Sequence, residues 1–249
     1  MRPNLSVLVV ASLLGSRVVA QDPIASPSPS PSSSAIQNLE TTLRKLDGAL
    51  AEGAARGEPL AQTLLGMRLE GTGQPADAAR LYRLAAEQGF AGAQGSLGSL
   101  YLRGEGVPKD FVEANKWSLA AAKQGDPLGQ LSLAVLYVTA SGRPRDDIEA
   151  AAWARKAAEQ DCKAAGRLPF ICALARGLLG AGYLDGRGVP QDYVLAYMWA
   201  NLAAAELSVE QGKHSVIVRD DAAKRMTPDQ IAEAQRLTRE WKPLAPTSK

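Results

Sequence analysis

Apolar and small residues recur through most of the chain at spacings of three and four, which is the period of an α-helix. Residues 93–103 carry such a stripe, and Gly98 lies on it, where a side chain would keep a neighbouring helix away. Residues 104–108 hold two glycines and a proline, which end a helix. A second stripe over residues 111–124 follows Asp110, a residue type suited to capping a helix N-terminus. The pattern predicts two helices joined by a tight turn.

This two-helix pattern repeats along the chain. The unit around Gly98 matches the chain 36 residues later and again after a further 46, where Gly180 takes the place of Gly98, and a shorter-looped unit precedes it. A single pair of helices cannot bury its apolar stripe, whereas stacked pairs form a continuous core. We therefore expect an all-α fold, an α-solenoid built as a right-handed stack of antiparallel helix pairs without a sheet. The clearest aligned columns are Leu97, Leu133 and Leu179; Tyr101, Tyr137 and Tyr183; and Trp117, Trp153 and Trp199.

The repeat spacing divides the chain into units and caps. Residues 36–57 place four leucines on one helical face and are expected to form an N-terminal capping helix. The solenoid is predicted over residues 58–241, and a disordered tail over 242–249. Within the solenoid, the four units are expected at about residues 58–89, 90–125, 126–172 and 173–207, followed by C-terminal capping helices over 208–241.

The N-terminus has the features of an export signal. Arg2 precedes a short apolar stretch, and small residues follow up to Ala20, so we expect a signal peptide over residues 1–20 that is cleaved after Ala20. A buried N-terminal helix is the alternative. No later segment is apolar enough to span a membrane, which predicts a periplasmic or secreted protein without a transmembrane segment after signal removal. Residues 21–35 alternate proline and serine and are expected to form an extended linker.

Charge and metal-ligand counts exclude several classes of function. The chain has 28 basic and 26 acidic residues, and loss of residues 1–20 removes two arginines, which leaves 26 of each. A neutral chain offers no broad basic field, so no nucleic-acid partner is expected. One histidine and two cysteines are too few for the common protein zinc sites. We expect neither a metal nor a cofactor.

The two cysteines lie in the insertion that lengthens the third repeat spacing. Cys162 and Cys172 are ten residues apart. In an oxidising compartment, two cysteines this close favour a disulfide. Two buried thiols or a redox switch are the alternatives, although the C-x-x-C spacing of redox motifs is absent.

The repeat resembles a known family. Residues 97–125 follow the pattern L-G-x-L-Y-x-x-G-x-G-V-P-x-D-x-x-x-A-x-x-W-x-x-x-A-A-x-Q-G, which resembles the Sel1-like repeat, a relative of the tetratricopeptide repeat, and residues 179–204 carry it nearly as well. Residues 226–235 are similar to a terminal segment common in bacterial members. The third unit departs from the pattern at residues 140–143, where we expect the turn to bend differently. The resemblance implies an α-solenoid that binds other proteins, often in signalling or envelope regulation, without common catalytic residues.

Catalytic alternatives have weaker support. Certain cysteine-rich Sel1-like proteins are described as β-lactamases or penicillin binders, so a β-lactamase-like or peptidoglycan-binding function is the runner-up. No serine is followed by a lysine three residues on, as penicillin-recognising serine enzymes require. The two G-x-G turns lack the lysine of a phosphate-binding loop. We expect His214 to be a surface residue and the recurring tryptophans to pack in the core.

Together these patterns predict a monomeric, non-catalytic adaptor or regulator in the bacterial periplasm. Its partner is expected to be a protein or peptide of the cell envelope, bound on a surface lined by the first helix of each unit. The candidate contact residues on that surface are Thr63, Met67, Ser99, Gln130 and Arg176.

Overall fold

The computed structural model describes residues 48–142, 144–162 and 169–244. The predicted signal peptide, the linker and residues 36–47 of the predicted capping helix lie outside the described residues, as do residues 245–249 of the tail. Residues 48–55 are helical. Ten longer helices follow within the described ranges: α1 (Pro59–Gly71), α2 (Pro75–Glu87), α3 (Ala91–Arg103), α4 (Phe111–Lys123), α5 (Pro127–Val138), α6 (Asp147–Ala158), α7 (Pro169–Asp185), α8 (Tyr193–Glu206), α9 (Val209–Ala223) and α10 (Pro228–Glu240).

The helices pack as successive pairs, α1 with α2 through α7 with α8, and each second helix also packs against the first helix of the next unit. The described ranges contain no β-strand, only one isolated bridge between Gln160 and Leu244. This confirms the expected all-α solenoid. The first helices of the last three units lie deepest: every residue from Ala93 to Leu102 in α3, for example, is buried. The core is therefore a continuous layer that runs along the stack.

Aspartates start the second helix in three units. The side chains of Asp110, Asp146 and Asp192 each accept backbone N–H groups from the first turn of α4, α6 and α8. These bonds satisfy amides that have no partner inside the helix. The recurring aspartate therefore fixes where each second helix begins.

The turn of the third unit is expected to bend differently, but at its described positions Ala140 and Gly142 it shows the same left-handed backbone as its neighbours. Gly104 ends α3 with φ +73°, and Gly186, at the same repeat position, has φ +67°. Ala140 occupies that position in the third unit with φ +54°. A Cβ in this left-handed region costs about 1–2 kcal/mol. The stack imposes the turn at Ala140 even though the sequence lacks glycine there.

Gly98 and Gly180 lie where paired helices approach closely, as predicted. A Cβ built on Gly98 would lie 2.5 Å from Ser118 Oγ and 2.9 Å from the backbone N of Ser118 in α4. At Gly180 the nearest atom is the backbone N of Ala200 in α8, at 3.1 Å. Glycine at this column lets α3 and α7 pack directly against the backbone of their partner helices.

The C-terminal helices depart from the regular pairing. Helix α9 packs on α8 and α7, as the first helix of a further unit would, whereas α10 packs on α8. Helix α10 begins with a complete capping box formed by Thr227 and Gln230. Ala234 of α10 is fully buried. The final helix therefore closes the stack by covering α8.

Candidate functional site

The structure corrects the placement of four of the five candidate contact residues. Thr63, Ser99, Gln130 and Arg176 have relative exposures between 3% and 7%, so their side chains offer little surface to a partner. Met67 alone is half-buried and stays a candidate. The first helices of the second, third and fourth units are sandwiched between neighbouring helices, because α3, α5 and α7 each pack against second helices on two sides, whereas α1 packs against α2. The first helices therefore do not present these four side chains on a lining surface.

Gln130 belongs to a recurring internal contact. At the end of the second helix of each of the first three units, a glutamine amide donates to a glutamine in the first helix of the same unit and to a glycine carbonyl of the preceding turn. We call this pair of bonds a glutamine clasp. Its members are Gln88 to Gln62 Oε1 (3.1 Å) and Gly57 O (3.1 Å), Gln124 to Gln94 Oε1 (2.8 Å) and Gly89 O (3.0 Å), and Gln160 to Gln130 Oε1 (2.7 Å) and Gly125 O (3.1 Å).

The same column contains a charged version of the clasp in the fourth unit. Arg176 takes the position of Gln130, and Glu206 takes that of Gln160, and the two side chains form an ion pair. Arg176 also donates from Nε to Ala158 O (3.0 Å) and from Nη2 to Gln160 O (3.3 Å). Burial lowers the pKa of the Arg176 guanidinium, while the adjacent Glu206 carboxylate opposes that shift. Arg176 is thus a structural link between the third and fourth units.

Trp199 and Trp241 complete the surroundings of Arg176. The two indole rings meet edge to face with centroids 5.9 Å apart, and the Arg176 guanidinium lies 4.4 Å from the centroid of Trp241. Such contacts add about 0.5–2 kcal/mol each beyond the burial of area. We refer to Arg176, Glu206, Trp199 and residues 159–160 together as the Arg176 corner, against which Trp241 packs.

The predicted disulfide adjoins this corner. Cys162 and Cys172 are bonded, with their Cα atoms 5.8 Å apart. Their exposures are 3% and 1%. Cys162 lies two residues after Gln160, and Cys172 lies one helical turn before Arg176 on α7. The bond therefore ties the end of the third unit to the first helix of the fourth.

The recurring tryptophans divide into two environments. Trp199 is buried, as expected, whereas Trp117 and Trp153 are half-buried with Lys116 Nζ 4.9 Å and Lys156 Nζ 4.0 Å from their ring centroids. The difference follows from α10, which covers α8 and leaves the equivalent faces of α4 and α6 nearer to water.

No catalytic constellation forms around His214 in the described part of the chain. Its side chain is half-buried in α9, and its Nδ1 is buried without a hydrogen-bond partner. Among residues 48–142, 144–162 and 169–244, no group of three or more histidine, cysteine, aspartate or glutamate side chains is arranged to hold a metal ion. None of the helices described is long and apolar enough to cross a membrane.

Exposed apolar side chains recur at the edge of the stack. Val112 and Ile148 are 71% and 72% exposed. They occupy the same position, two residues after the capping aspartates Asp110 and Asp146. We call these two side chains the apolar row. Leu60 and Leu64 form a second exposed pair, one helical turn apart at the start of α1, with exposures of 56% and 42%.

Two features of the structure are not predicted from the sequence. The structural role of Arg176 is one, although the sequence carries a signal for it: the glutamines of the clasp change to arginine and glutamate together at residues 176 and 206. The apolar row corresponds in the sequence to an apolar residue two positions after Asp110 and Asp146. Neither could be interpreted before the contacts of the column were known.

Comparison with known proteins identifies the repeat. A family profile described as Sel1 repeat matches residues 59–90, 91–126, 127–162 and 173–206, together more than half of the chain. A crystal structure of a Sel1 repeat protein from Oxalobacter formigenes is 32% identical, with a TM-score of 0.50, over 66% of this chain and 46% of that one. A protective antigen of uropathogenic Escherichia coli strains that displays an SLR fold is 27% identical, with a TM-score of 0.46, over 78% of this chain and 48% of that one.

The chain thus spans about half the length of these two solved structures. A search of curated proteins gave no significant match. Sel1 repeats generally mediate protein–protein interactions, and Sel1 repeat proteins are typically non-catalytic scaffolds. The four matched repeats and the solenoid of helix pairs agree in position and architecture. The chain belongs to the Sel1 repeat family.

Proposed function

We propose that the protein is a monomeric, non-catalytic adaptor of the bacterial periplasm that binds a protein partner on the surface of its solenoid. The observation that carries this proposal is the set of four Sel1 repeats stacked into one body. A stack of this kind presents an extended surface, and the polar side chains deep in its first helices are engaged in structural contacts such as the glutamine clasps.

The exposed side chains of the apolar row indicate which face of the stack binds the partner. Val112 and Ile148 lie 36 residues apart on successive units, so an extended segment that follows the stack would meet both. Charged side chains lie close to each in sequence: Lys109, which lies over the ring of Phe111, precedes Val112, and the paired Arg145 and Asp147 precede Ile148. Apolar contacts with a polar rim are the usual arrangement of a protein–protein interface.

The N-terminal sequence and the disulfide support the compartment. Residues 1–20 have the pattern of a signal peptide. A bond between Cys162 and Cys172 persists in oxidising compartments and is rare in the cytosol. We also propose that residues 36–57 cap the open end of α1, where Leu60 and Leu64 are exposed.

Crosslinking in cells tests the proposed function. A photo-crosslinking amino acid at residue 112 or 148 should capture a discrete partner in the exported fraction. Val112→Lys with Ile148→Lys should reduce capture by about tenfold, since each apolar contact removed from an interface typically costs 1 kcal/mol or less. The matched control is Val209→Lys, which changes an equally exposed valine away from the row.

Several outcomes would contradict the proposal. Equal capture by the row variant and the control would remove the row from the binding face. Hydrolysis of nitrocefin by the purified protein, abolished by one substitution that leaves the fold intact, would establish the β-lactamase-like alternative instead. His214→Ala should leave partner capture unchanged, because His214 lies on α9, away from the row.

A further inference from the structure

The third unit departs from its neighbours at one turn. In the first two units the clasp glutamine is followed by Gly89 or Gly125, with φ +84° and +87°, and the chain turns back at once into the next first helix. In the third unit Gln160 is followed by Asp161 and Cys162, and neither adopts a positive φ. The backbone beyond α6 therefore continues into the insertion instead of making the tight glycine turn.

The chain's own C-terminal segment pairs with the backbone of residues 159–160, at the end of α6. The amide N–H of Leu244 donates to Glu159 O over 2.6 Å, and Leu244 pairs with Gln160 as a parallel β-bridge. Three residues earlier, Trp241 rests against Trp199 and beneath the guanidinium of Arg176. An aromatic ring and an amide three residues later are thus the two features by which residues 241–244 engage the Arg176 corner.

The receiving side of this contact is rigid, whereas residues 242–244, beyond the Trp241 ring, are held lightly. The disulfide fixes Cys162 against α7, and Arg176 is anchored by Glu206 and two carbonyls. In contrast, Lys242 and Pro243 are exposed, and Leu244 is 60% exposed. The single backbone bond from Leu244 to Glu159 contributes about 1 kcal/mol. A preorganised acceptor with a weakly bound internal occupant is suited to exchange.

We propose that the Arg176 corner is a docking site for an extended peptide of a protein partner, and that residues 241–244 occupy it as an internal ligand. The partner segment would carry an aromatic residue that stacks between Trp199 and Arg176 and, three residues later, a free amide N–H for Glu159 O. Recognition would combine one main-chain bond with one aromatic anchor, as in other modes of strand addition. This inference rests on the proposed protein-binding function but uses a surface separate from the apolar row.

A labelled synthetic peptide of residues 239–249 tests the site by fluorescence anisotropy. The full-length variant with Trp241→Ala and Leu244→Pro vacates both contacts, because alanine removes the ring and proline removes the N–H. It should bind the peptide about tenfold more tightly than the parent chain, in which the tethered tail competes at high effective concentration. Leu244→Ala is the matched control: it keeps the N–H and should bind like the parent.

Peptide variants report on each contact separately. A peptide with alanine in place of its tryptophan, or proline in place of its leucine, should bind the vacated variant about fivefold or more weakly, the worth of one bond or ring contact. If circular dichroism shows that the doubly substituted chain does not fold, the single variant Leu244→Pro is used instead. Tighter binding of the peptide to Leu244→Pro than to Leu244→Ala supports the site, and equal binding to both overturns it.

Two results would overturn the proposal directly. One is the absence of peptide binding to a folded vacated variant up to about 1 mM. The other is a concentration-dependent dimer of the parent chain that Leu244→Pro abolishes, since a second copy would then be the occupant. Neither result bears on capture through the apolar row, so this proposal and the proposed function can fail independently.

Discussion

Single residues of this protein take their roles from their repeat column. Gly98 could be placed from the sequence because Gly180 recurs at the same position on the same stripe, and both lie at close helix contacts. The buried position of Arg176 could not be predicted, because an arginine in a column of glutamines is typical of an exposed position. Only the contacts of the clasp show that it replaces a buried glutamine. The contacts that a substituted residue makes, more than its residue type, therefore show whether it has a structural role in the repeat.

Substitution at Gly98 should show how closely α3 and α4 pack. A methyl group there would lie 2.9 Å from the backbone N of Ser118, so the helix backbone must move. We expect Gly98→Ala to reduce the free energy of unfolding by about 1–3 kcal/mol. Gly71→Ala, at a helical glycine with open space around it, should be neutral or stabilising by up to about 1 kcal/mol. Urea unfolding of both variants provides the measurement, and equal midpoints would contradict the close approach.

Ala140 offers the opposite test, because its backbone is in the left-handed region that glycine occupies in the other units. Ala140→Gly should remove the steric strain of the Cβ there. Glycine also raises the conformational entropy of the unfolded chain, which offsets part of this stabilisation. We expect a net stabilisation of about 0.5–1 kcal/mol. Gly104→Ala, the reverse change at the same repeat position, should destabilise the protein. A lower melting temperature for Ala140→Gly than for the parent would argue against a left-handed turn in the third unit.

At the scale of the helices, periodicity specified the pairs well. The aspartate caps marked where α4, α6 and α8 begin, and the glycine turns marked where α3 and α7 end. The packing of α10 on α8 was harder to predict from the sequence, because helices that follow each other along the chain usually pair, which suggests that α10 pairs with α9. The available signal was on α8: Leu195 stands where α4 and α6 carry Glu113 and Glu149, as suits a face that is covered. A pattern within one helix can thus report a partner distant in sequence.

The charged clasp makes a sharp prediction for a double-mutant cycle. Glu206→Gln leaves the buried Arg176 without its counter-ion, and Arg176→Gln leaves the carboxylate of Glu206, which is 37% exposed, without its partner. Each single change should destabilise the protein, by an amount reduced at Glu206 by solvent screening. The double variant restores the neutral pair of the other three units, so the two effects should couple by at least about 1 kcal/mol. Urea unfolding of the four proteins measures that coupling.

Simple additivity of the two single changes would show that Arg176 and Glu206 act independently. Charge reversal, Arg176→Glu, provides a further check. It places two carboxylates together at a site where the arginine is only 3% exposed, and should destabilise the fold by about 3–5 kcal/mol. A melting temperature equal to that of the parent would mean that the Arg176 side chain is exposed and not buried.

Over the whole molecule, the departures from the repeat converge at the junction of the third and fourth units. The disulfide, the charged clasp and the C-terminal segment all meet at the Arg176 corner. In a linear stack each unit contacts only its neighbours, so a feature that spans a junction controls how the flanking units unfold together. In the described part of the chain, the disulfide is the one covalent cross-link at this junction besides the backbone itself.

Removal of that link tests its contribution to the entire stack. Cys162→Ser with Cys172→Ser opens a loop of eleven residues, which the chain-entropy account values at about 2.8 kcal/mol. We expect urea unfolding to lose about that amount and to become less cooperative, because the first three units can then separate from the fourth. The parent chain reduced under denaturing conditions and refolded with its thiols blocked should behave like the double variant. An unchanged midpoint would mean that packing at the Arg176 corner, and not the covalent bond, holds the junction together.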